Sequence, residues 1–201
     1  MLLPKLLIAT NNPGKIAEFQ EIFADLPLTL TSLAAEGIDL DPEETGMTFE
    51  ANALLKVEAF AAASDLLILA DDSGLEIDAL GGEPGVYSAR YGDTAKNDDK
   101  KRVDLVLQKM QAVPWRERTA RFRCVVALAT AERVIGTAEG AVEGFIGYEP
   151  KGQNGFGYDP IFYYPEFDCT LAEAASEQKH RISHRGRAAR AAIALIEQFF
   201  M

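Results

Sequence analysis

The 201-residue chain is poor in the residues that build metal and disulfide sites, with two cysteines, two histidines and one tryptophan. Cys124 and Cys169 are isolated and lack CxxC spacing, and no Cys/His metal cluster can be assembled around His180 and His184. Isolated thiols suit a reducing compartment, so a cytoplasmic location is expected. No apolar run is long enough to span a bilayer. The opening MLLPKLLIAT lacks a basic leader and reads as a strand running into a polar loop, not as a signal peptide. Neither GxGxxG nor GxxxxGK[ST] occurs, so the standard nucleotide fingerprints do not apply. Internal repeats and low-complexity linkers are also missing. Positive charge is in deficit: 20 Lys and Arg face 31 Asp and Glu, a formal net charge of -11. Diffuse negative charge argues against general binding of nucleic acid or anionic membranes. What remains, 48% hydrophobic and 25% charged, is an ordinary soluble globular composition. The length suffices to bury a sizeable core as one domain, residues 1–201, with two lobes.

The chain is organised around Leu66 to Gly82, LLILADDSGLEIDALGG. The apolar run Leu66 to Ala70 is too short for a helix and suits a buried strand. It stops at Asp71 and Asp72, then Ser73 and Gly74, and a second alternating run leaves from Leu75 to Leu80. The pattern predicts two strands joined at the acids. Carboxylates at a strand end sit where alpha/beta proteins build their sites. An Asp-Asp-Ser-Gly turn exposed to solvent explains the same residues equally well.

Upstream, Lys5 to Ala9 predicts a strand, Thr10-Asn11-Asn12-Pro13-Gly14-Lys15 a loop, and Ile16, Phe19, Ile22 and Phe23 an amphipathic helix. A loop feeding a helix start offers N–H groups to phosphate, and Lys15 adds a full charge. A plain Asn-Pro-Gly turn is the competing explanation. Leu28 to Leu33 suggests a second strand. The acidic segment EGIDLDPEETG is either a solvated loop or a supply of carboxylates for a hard cation such as Mg2+. Thr48 to Ser64 predicts a helix capped by Thr48, with Asn52 and Lys56 on one side of it.

Downstream, GGEPGVYSARYG is a glycine-rich loop carrying Tyr87, Arg90 and Tyr91 as a possible rim. Asp98 to Gln111 predicts a helix, Ala120 to Thr130 a long strand, and Arg133 to Ile146 further extended chain. Strand-helix units beside a long antiparallel pair imply a mixed sheet. In GQNGFGYD, glycines flank Phe156, followed by Gly157, Tyr158 and Asp159; the aromatic either stacks on a flat ligand or tucks into the core. Lys179 to Arg190 holds five cations and no acid. A final helix is expected from near Ser183, with Ala189, Ile193, Ile196 and Phe200 on its apolar side. His184 and Arg185 then lie at its start, where cations oppose the helix dipole unless an anion is bound.

Five motifs occur in order: TNNPGK (10–15), EETG-TF-NA-K (43–56), ADDSGLEIDALGGEPGVYSARY (70–91), GFGYDPIF (155–162) and K-x-x-x-SHRG (179–186). Together they resemble the inosine triphosphate pyrophosphatase family, nearly over the full length. Ala51 stands where members often carry glutamate, with Glu50 one residue earlier. The resemblance implies an α/β, two-lobed fold with a long mixed β-sheet flanked by helices and an active-site cleft between the lobes. It implies Mg2+-dependent hydrolysis of non-standard purine nucleoside triphosphates (ITP, dITP, XTP) to a monophosphate and pyrophosphate, which keeps them out of DNA and RNA. It also implies a homodimer. Asp72 matches the proton acceptor, and Glu43 and Asp72 match the metal ligands, with Glu44 and Asp71 as the other pair of acids. Thr10, Asn11, Asn12, Pro13, Gly14, Lys15, Lys56 and Lys179 would hold phosphates. Ser73 would touch substrate, and Phe156, with Gly157, Tyr158 and Asp159, would take the base. Donors from His184, Arg185 or the backbone of residues 156–159 would select a six-carbonyl over the amino group of adenine. A purine-nucleotide sensor without turnover shares the same pocket. A nucleic-acid protein using residues 179–190 is disfavoured by net charge.

Overall fold

The computed structural model describes residues 4–95 and 98–200. Seven strands hydrogen-bond in the order β2-β1-β3-β4-β5-β6-β7. They are β1 Lys5–Ile8, β2 Thr29–Ser32, β3 Leu67–Ile77, β4 Thr119–Ala129, β5 Val134–Ile146, β6 Phe162–Tyr164 and β7 Cys169–Thr170. The helices are α1 Pro13–Ile22, α2 Phe49–Ala61, α3 Asp99–Lys109, α4 Ser176–Ile182 and α5 His184–Phe200. β1 runs parallel to both β2 and β3, while β5 to β7 pair antiparallel, so the sheet is mixed as expected. β4 and β5 are joined through Ala131 and Glu132, with Thr130 N–H donating to Arg133 O at 2.9 Å. A two-residue connection of this kind makes a hairpin.

The chain divides into two compact units, Met1–Asp72 with Cys124–Gly140 and His184–Met201, and Ser73–Arg123 with Ala141–Ser183. Each has its own apolar core. In the first, Leu6, Ile8, Leu67 and Leu69 meet Phe19 of α1, Phe23 just past its end, and Ala188, Ala192 and Ile196 of α5. In the second, Leu75 and Ile77 meet Val103 and Val106 of α3, Phe122, and Ile161 and Phe162. No helix among the described residues is long and apolar enough to cross a membrane. Both cysteines are unbridged.

Several sequence expectations are corrected. No turn separates two strands at Asp71: β3 runs unbroken from Leu67 to Ile77, and both aspartates are buried mid-strand. The acids do not break the strand because cations from elsewhere in the chain neutralise them. The parallel pairing with β1 nevertheless ends at Leu69, so the acids stand just past the end of the parallel segment. The expected loop 10–15 is shorter, since Pro13 occupies the first helical position, where its missing N–H costs nothing. Asn12 caps the helix by accepting the Lys15 N–H at 3.2 Å. Residues 133–146 hold one strand, not several. Tyr91 is buried rather than part of an exposed rim, its hydroxyl donating to Glu83 at 2.5 Å. Phe200 is 41% exposed, so the apolar side of α5 ends before it.

Candidate active site

In the first unit, β3 delivers Asp71 and Asp72 side by side, and each gathers its own partners. Asp72 accepts from Asn52 Nδ2 at 3.1 Å and from Lys56 Nζ at 3.3 Å. Lys56 also donates to Glu44 at 2.6 Å. Thr48 caps α2 by accepting the Ala51 N–H, which starts the helix so that Asn52 and Lys56, one turn apart, face the same carboxylate. Asn52 Oδ1 meanwhile accepts the Gly46 N–H at 2.7 Å, tying the acidic segment to the helix. A Cβ at Gly46 would lie 2.6 Å from that oxygen, so this approach requires glycine.

Asp71 faces a different set. Its Oδ2 meets Lys15 Nζ at 2.9 Å and Arg185 Nη2 at 3.4 Å. Arg185 is also bound by Glu18 at 2.5 Å and lies 5.9 Å from the Phe19 ring centroid. Asp71 Oδ1 is buried without a hydrogen-bond partner. Cys124 Sγ donates to Asp71 at 3.7 Å, and burial pushes that thiol well up. α5 begins against β5 at Gly140, where a Cβ would come 2.3 Å from His184 O.

The neighbouring aspartates titrate in opposite directions. Burial pushes the Asp72 carboxyl above its ordinary value, with Lys56 and Lys15 pulling it back and Glu44 adding to the rise. Burial acts on Asp71 in the same sense, but Lys15, Arg185 and Lys56 outweigh it and hold Asp71 well below the usual range. Burial works against the Lys56 charge, yet Asp72, Asp71 and Glu44 keep its pKa above the ordinary value. Two adjacent carboxylates with divergent pKa values are the arrangement expected where one acid works and the other holds charge.

In the second unit, Lys179 of α4 binds Asp159 at 2.6 Å and lies 5.3 Å from the Phe156 ring centroid. Asp159 also accepts the Phe156 N–H at 2.9 Å. Gly157 N–H donates to Asp99 at 2.7 Å, and Tyr158 OH to Ser88 O at 2.9 Å. Phe156 is half-buried, while Tyr158 and Asp159 are buried.

Of the residues singled out from sequence, the first unit therefore unites Lys15, Lys56, Asp71, Asp72 and Arg185. Thr10 accepts the Asn12 N–H at 3.2 Å and Asn11 donates to Leu40 O at 3.1 Å, which shapes the entry to α1. Pro13 is exposed, Gly14 and Ser73 are half-buried, and His184 is buried. Two expectations shift. Glu43 is exposed, and Glu44 is the acid that reaches Lys56. The backbone N–H groups of Phe156 and Gly157, expected to meet a base, are already held by Asp159 and Asp99. From sequence, Asn52 is paired with Lys56 on one side of α2 with no role assigned, whereas Glu18 is missed, since it meets Arg185 across 167 positions with no local signal. Among the described residues, no three His, Cys, Asp or Glu side chains converge as a ready-made metal site.

Residues 6–195 match the model of the Ham1 family. The chain is 47% identical over 197 residues to the dITP/XTP pyrophosphatase of Bacillus subtilis (strain 168), covering 98% of this chain and 99% of that protein. It is 50% identical over 187 residues to the dITP/XTP pyrophosphatase of Thermus thermophilus, covering 93% and 89%. Among solved structures, the Ham1 protein of Staphylococcus aureus superposes with a TM-score of 0.83 at 43% identity, over 97% of this chain and 99% of the other. A HAM1 protein from Coxiella burnetii gives 0.84 at 40% identity, over 98% and 100%. Agreement in sequence and in fold over nearly the whole length has one reading: this chain belongs to the Ham1 family.

Proposed function

We propose that this protein is a dITP/XTP pyrophosphatase, hydrolysing non-standard purine nucleoside triphosphates to the monophosphate and pyrophosphate. One observation carries the reading: Asp72, buried and oriented by Asn52, shares the Lys56 ammonium with Glu44. A water attacks the α-phosphorus, the bond to the bridging oxygen of the β-phosphate breaks, and pyrophosphate leaves. Charge builds on the phosphoryl oxygens and the leaving group, so positioning and electrostatics dominate.

The donor set fits a hard cation. Two carboxylates, Asp72 and Glu44, already converge on one positive charge, and Mg2+ is typically held by one or two carboxylates plus substrate phosphates. Asp72 and Glu44 would hold it, with Glu43 in reserve on the exposed side. Bound there, Mg2+ would offset phosphate charge and help activate a water. Asp72 would orient the attacking water and take its proton; Asn52 holds the carboxylate in place. Lys15 and the Thr10–Gly14 entry to α1 bind phosphate, Lys56 adds charge, and Ser73 touches substrate. In the second unit Phe156 has the aromatic face that stacks on a base, with Lys179 bound to Asp159 beside it. Stacking accepts any purine, so selection falls to hydrogen-bond donors for the six-carbonyl. Adenine would leave such a donor unpaired, at a cost of about 1–3 kcal/mol. Arg185 contributes first by holding Asp71 and Glu18. The working form is a cytoplasmic homodimer that acts on free nucleotides.

The test is a panel of nucleoside triphosphates assayed for monophosphate and pyrophosphate, with and without Mg2+. ITP, dITP and XTP should be cleaved with Mg2+ and ATP spared. Binding of ITP with no product over hours would make the protein a nucleotide sensor instead. Asp72→Asn should lower turnover about a thousandfold or more with the circular dichroism spectrum unchanged; ordinary turnover would remove Asp72 from the chemistry.

A further inference from the structure

Residues 155–159 form a loop whose lower end is fixed twice over. Tyr158 is 4% exposed and its hydroxyl donates to Ser88 O, while Asp159, 2% exposed, binds Lys179. Ser88 is itself tied to β3, its Oγ accepting the Leu75 N–H at 2.9 Å and donating to Gly85 O at 2.6 Å. The tip is another matter. Gly155 and Gly157 both have positive φ, +73° and +64°, so the backbone there is left-handed on either side of Phe156. A Cβ at Gly155 would lie 2.1 Å from Asp159 Oδ2, whereas one at Gly157 would meet nothing within 4 Å. Packing thus restrains the tip at Gly155 and leaves the Gly157 side open.

On that side a hydrogen bond across 58 positions ties the tip to α3, Gly157 N–H to Asp99 Oδ2 at 2.7 Å, while the carbonyl of the same peptide, Phe156 O, accepts the Asp159 N–H at 3.3 Å. Asp99 opens α3, and its other oxygen is bound by Arg102, whose side chain is 4% exposed. Arg102 in turn donates to Ala95 O at 2.6 Å. The carboxylate therefore sits on a rigid mount and holds one peptide, Phe156–Gly157. The orientation of that peptide decides where the Phe156 ring faces.

We propose that Asp99 is a positioning residue for base recognition: its carboxylate clamps the Gly157 N–H and so presents the Phe156 ring to the purine. The role rests on the reading of Phe156 as the stacking surface. Asp99 itself touches no substrate. It acts on binding of the base and not on the phosphoryl step, so its removal separates KM from kcat. It also explains why the Gly157 N–H does not serve the six-carbonyl: an acceptor of this protein already uses it.

The test compares Asp99→Ala with Asp99→Asn, since the amide oxygen of asparagine still accepts. Asp99→Ala should raise the KM for ITP roughly five- to tenfold with kcat within twofold, as loss of one charge-assisted, half-exposed hydrogen bond implies. Asp99→Asn should recover most of that loss. Inhibition by inorganic tripolyphosphate, which has no base, should be equal in all three proteins. Amide hydrogen exchange at Gly157, followed by NMR without nucleotide, should be slow in wild type and Asp99→Asn and fast in Asp99→Ala. An unchanged KM, an equal fall in kcat, or weakened tripolyphosphate inhibition overturns the proposal. If wild type does not cleave ITP, the function fails by itself, and the exchange experiment still decides whether Asp99 clamps the loop.

Discussion

Two arginines are fully buried, each 1% exposed, one in each unit, and they are used in opposite ways. Arg118 in the second unit gives its hydrogen bonds to main-chain carbonyls: Ile146 O at 2.6 Å, Met110 O at 2.7 Å, Val113 O at 3.2 Å and Gly147 O at 2.7 Å. Its guanidinium also lies 4.4 Å from the Tyr148 ring centroid. Met110 and Val113 follow the end of α3, and Ile146 and Gly147 lie where β5 ends, so Arg118 joins the chain leaving a helix to the chain leaving a strand. Arg185 in the first unit gives its charge to Glu18 and Asp71. A guanidinium on carbonyls holds backbone in place and is indifferent to pH. A guanidinium on carboxylates sets the charge of its neighbours and is coupled to every proton they bind. The first use belongs to architecture and the second to chemistry.

The comparison breaks most visibly on removal of each guanidinium. Arg118→Met leaves four carbonyls without that donor and should cost about 4–5 kcal/mol, read as a fall in denaturant midpoint, with the same loss at pH 5 and pH 8. Arg185→Met leaves Glu18 and Asp71 buried with less compensation and should cost about 3 kcal/mol near neutral pH. Here the loss should shrink in acid: removing the cation raises the folded-state pKa of both carboxyls, and protonation then relieves the unpaired charge. Equal pH dependence in the two variants would dissolve the distinction. A smaller effect is expected from Gly140→Ala, which pushes a methyl against the start of α5 where Arg185 is carried. It should cost about 1–3 kcal/mol and lower ITP turnover more than an equally destabilising change near Arg118.

The subtlest test uses no mutation. Asp71 is held low, so its contribution to stability is complete above the unfolded value of about 3.9 and is lost only as pH falls through the lower folded value. Asp72 is raised, so its ionisation costs stability above that range, and protonating it on acidification favours the fold. In the Mg2+-free protein, carboxyl titration followed by NMR should therefore place Asp72 above the ordinary aspartate value and Asp71 below it, with the circular dichroism spectrum still native while Asp72 takes up its proton. Two aspartates titrating together would mean that they are not separated as described.

The elements were largely legible in the sequence. Helix α2, with Thr48 as its cap, the mixed sheet and the acidic loop follow from apolar spacing and capping residues, which are local signals. The break at Asp71–Gly74 was misread for the converse reason. Adjacent acids, a serine and a glycine look like a turn when only neighbours in sequence are weighed. Their neutralising partners lie 56, 114 and 16 positions away, in Lys15, Arg185 and Lys56 (71 − 15, 185 − 71 and 72 − 56). Likewise Glu43 and Glu44 are indistinguishable by composition, and only the path of residues 43–46 against α2 turns Glu44 toward Lys56.

By itself, then, the sequence determined the α/β character, the ordered motifs of the family and the set of charged side chains from which a site is drawn, because periodicity and residue type are carried locally. Tertiary structure decided which acid each cation serves. Desolvation and Coulomb interactions depend on distance in space, and they give two neighbouring aspartates, alike in the chain, opposite affinities for a proton.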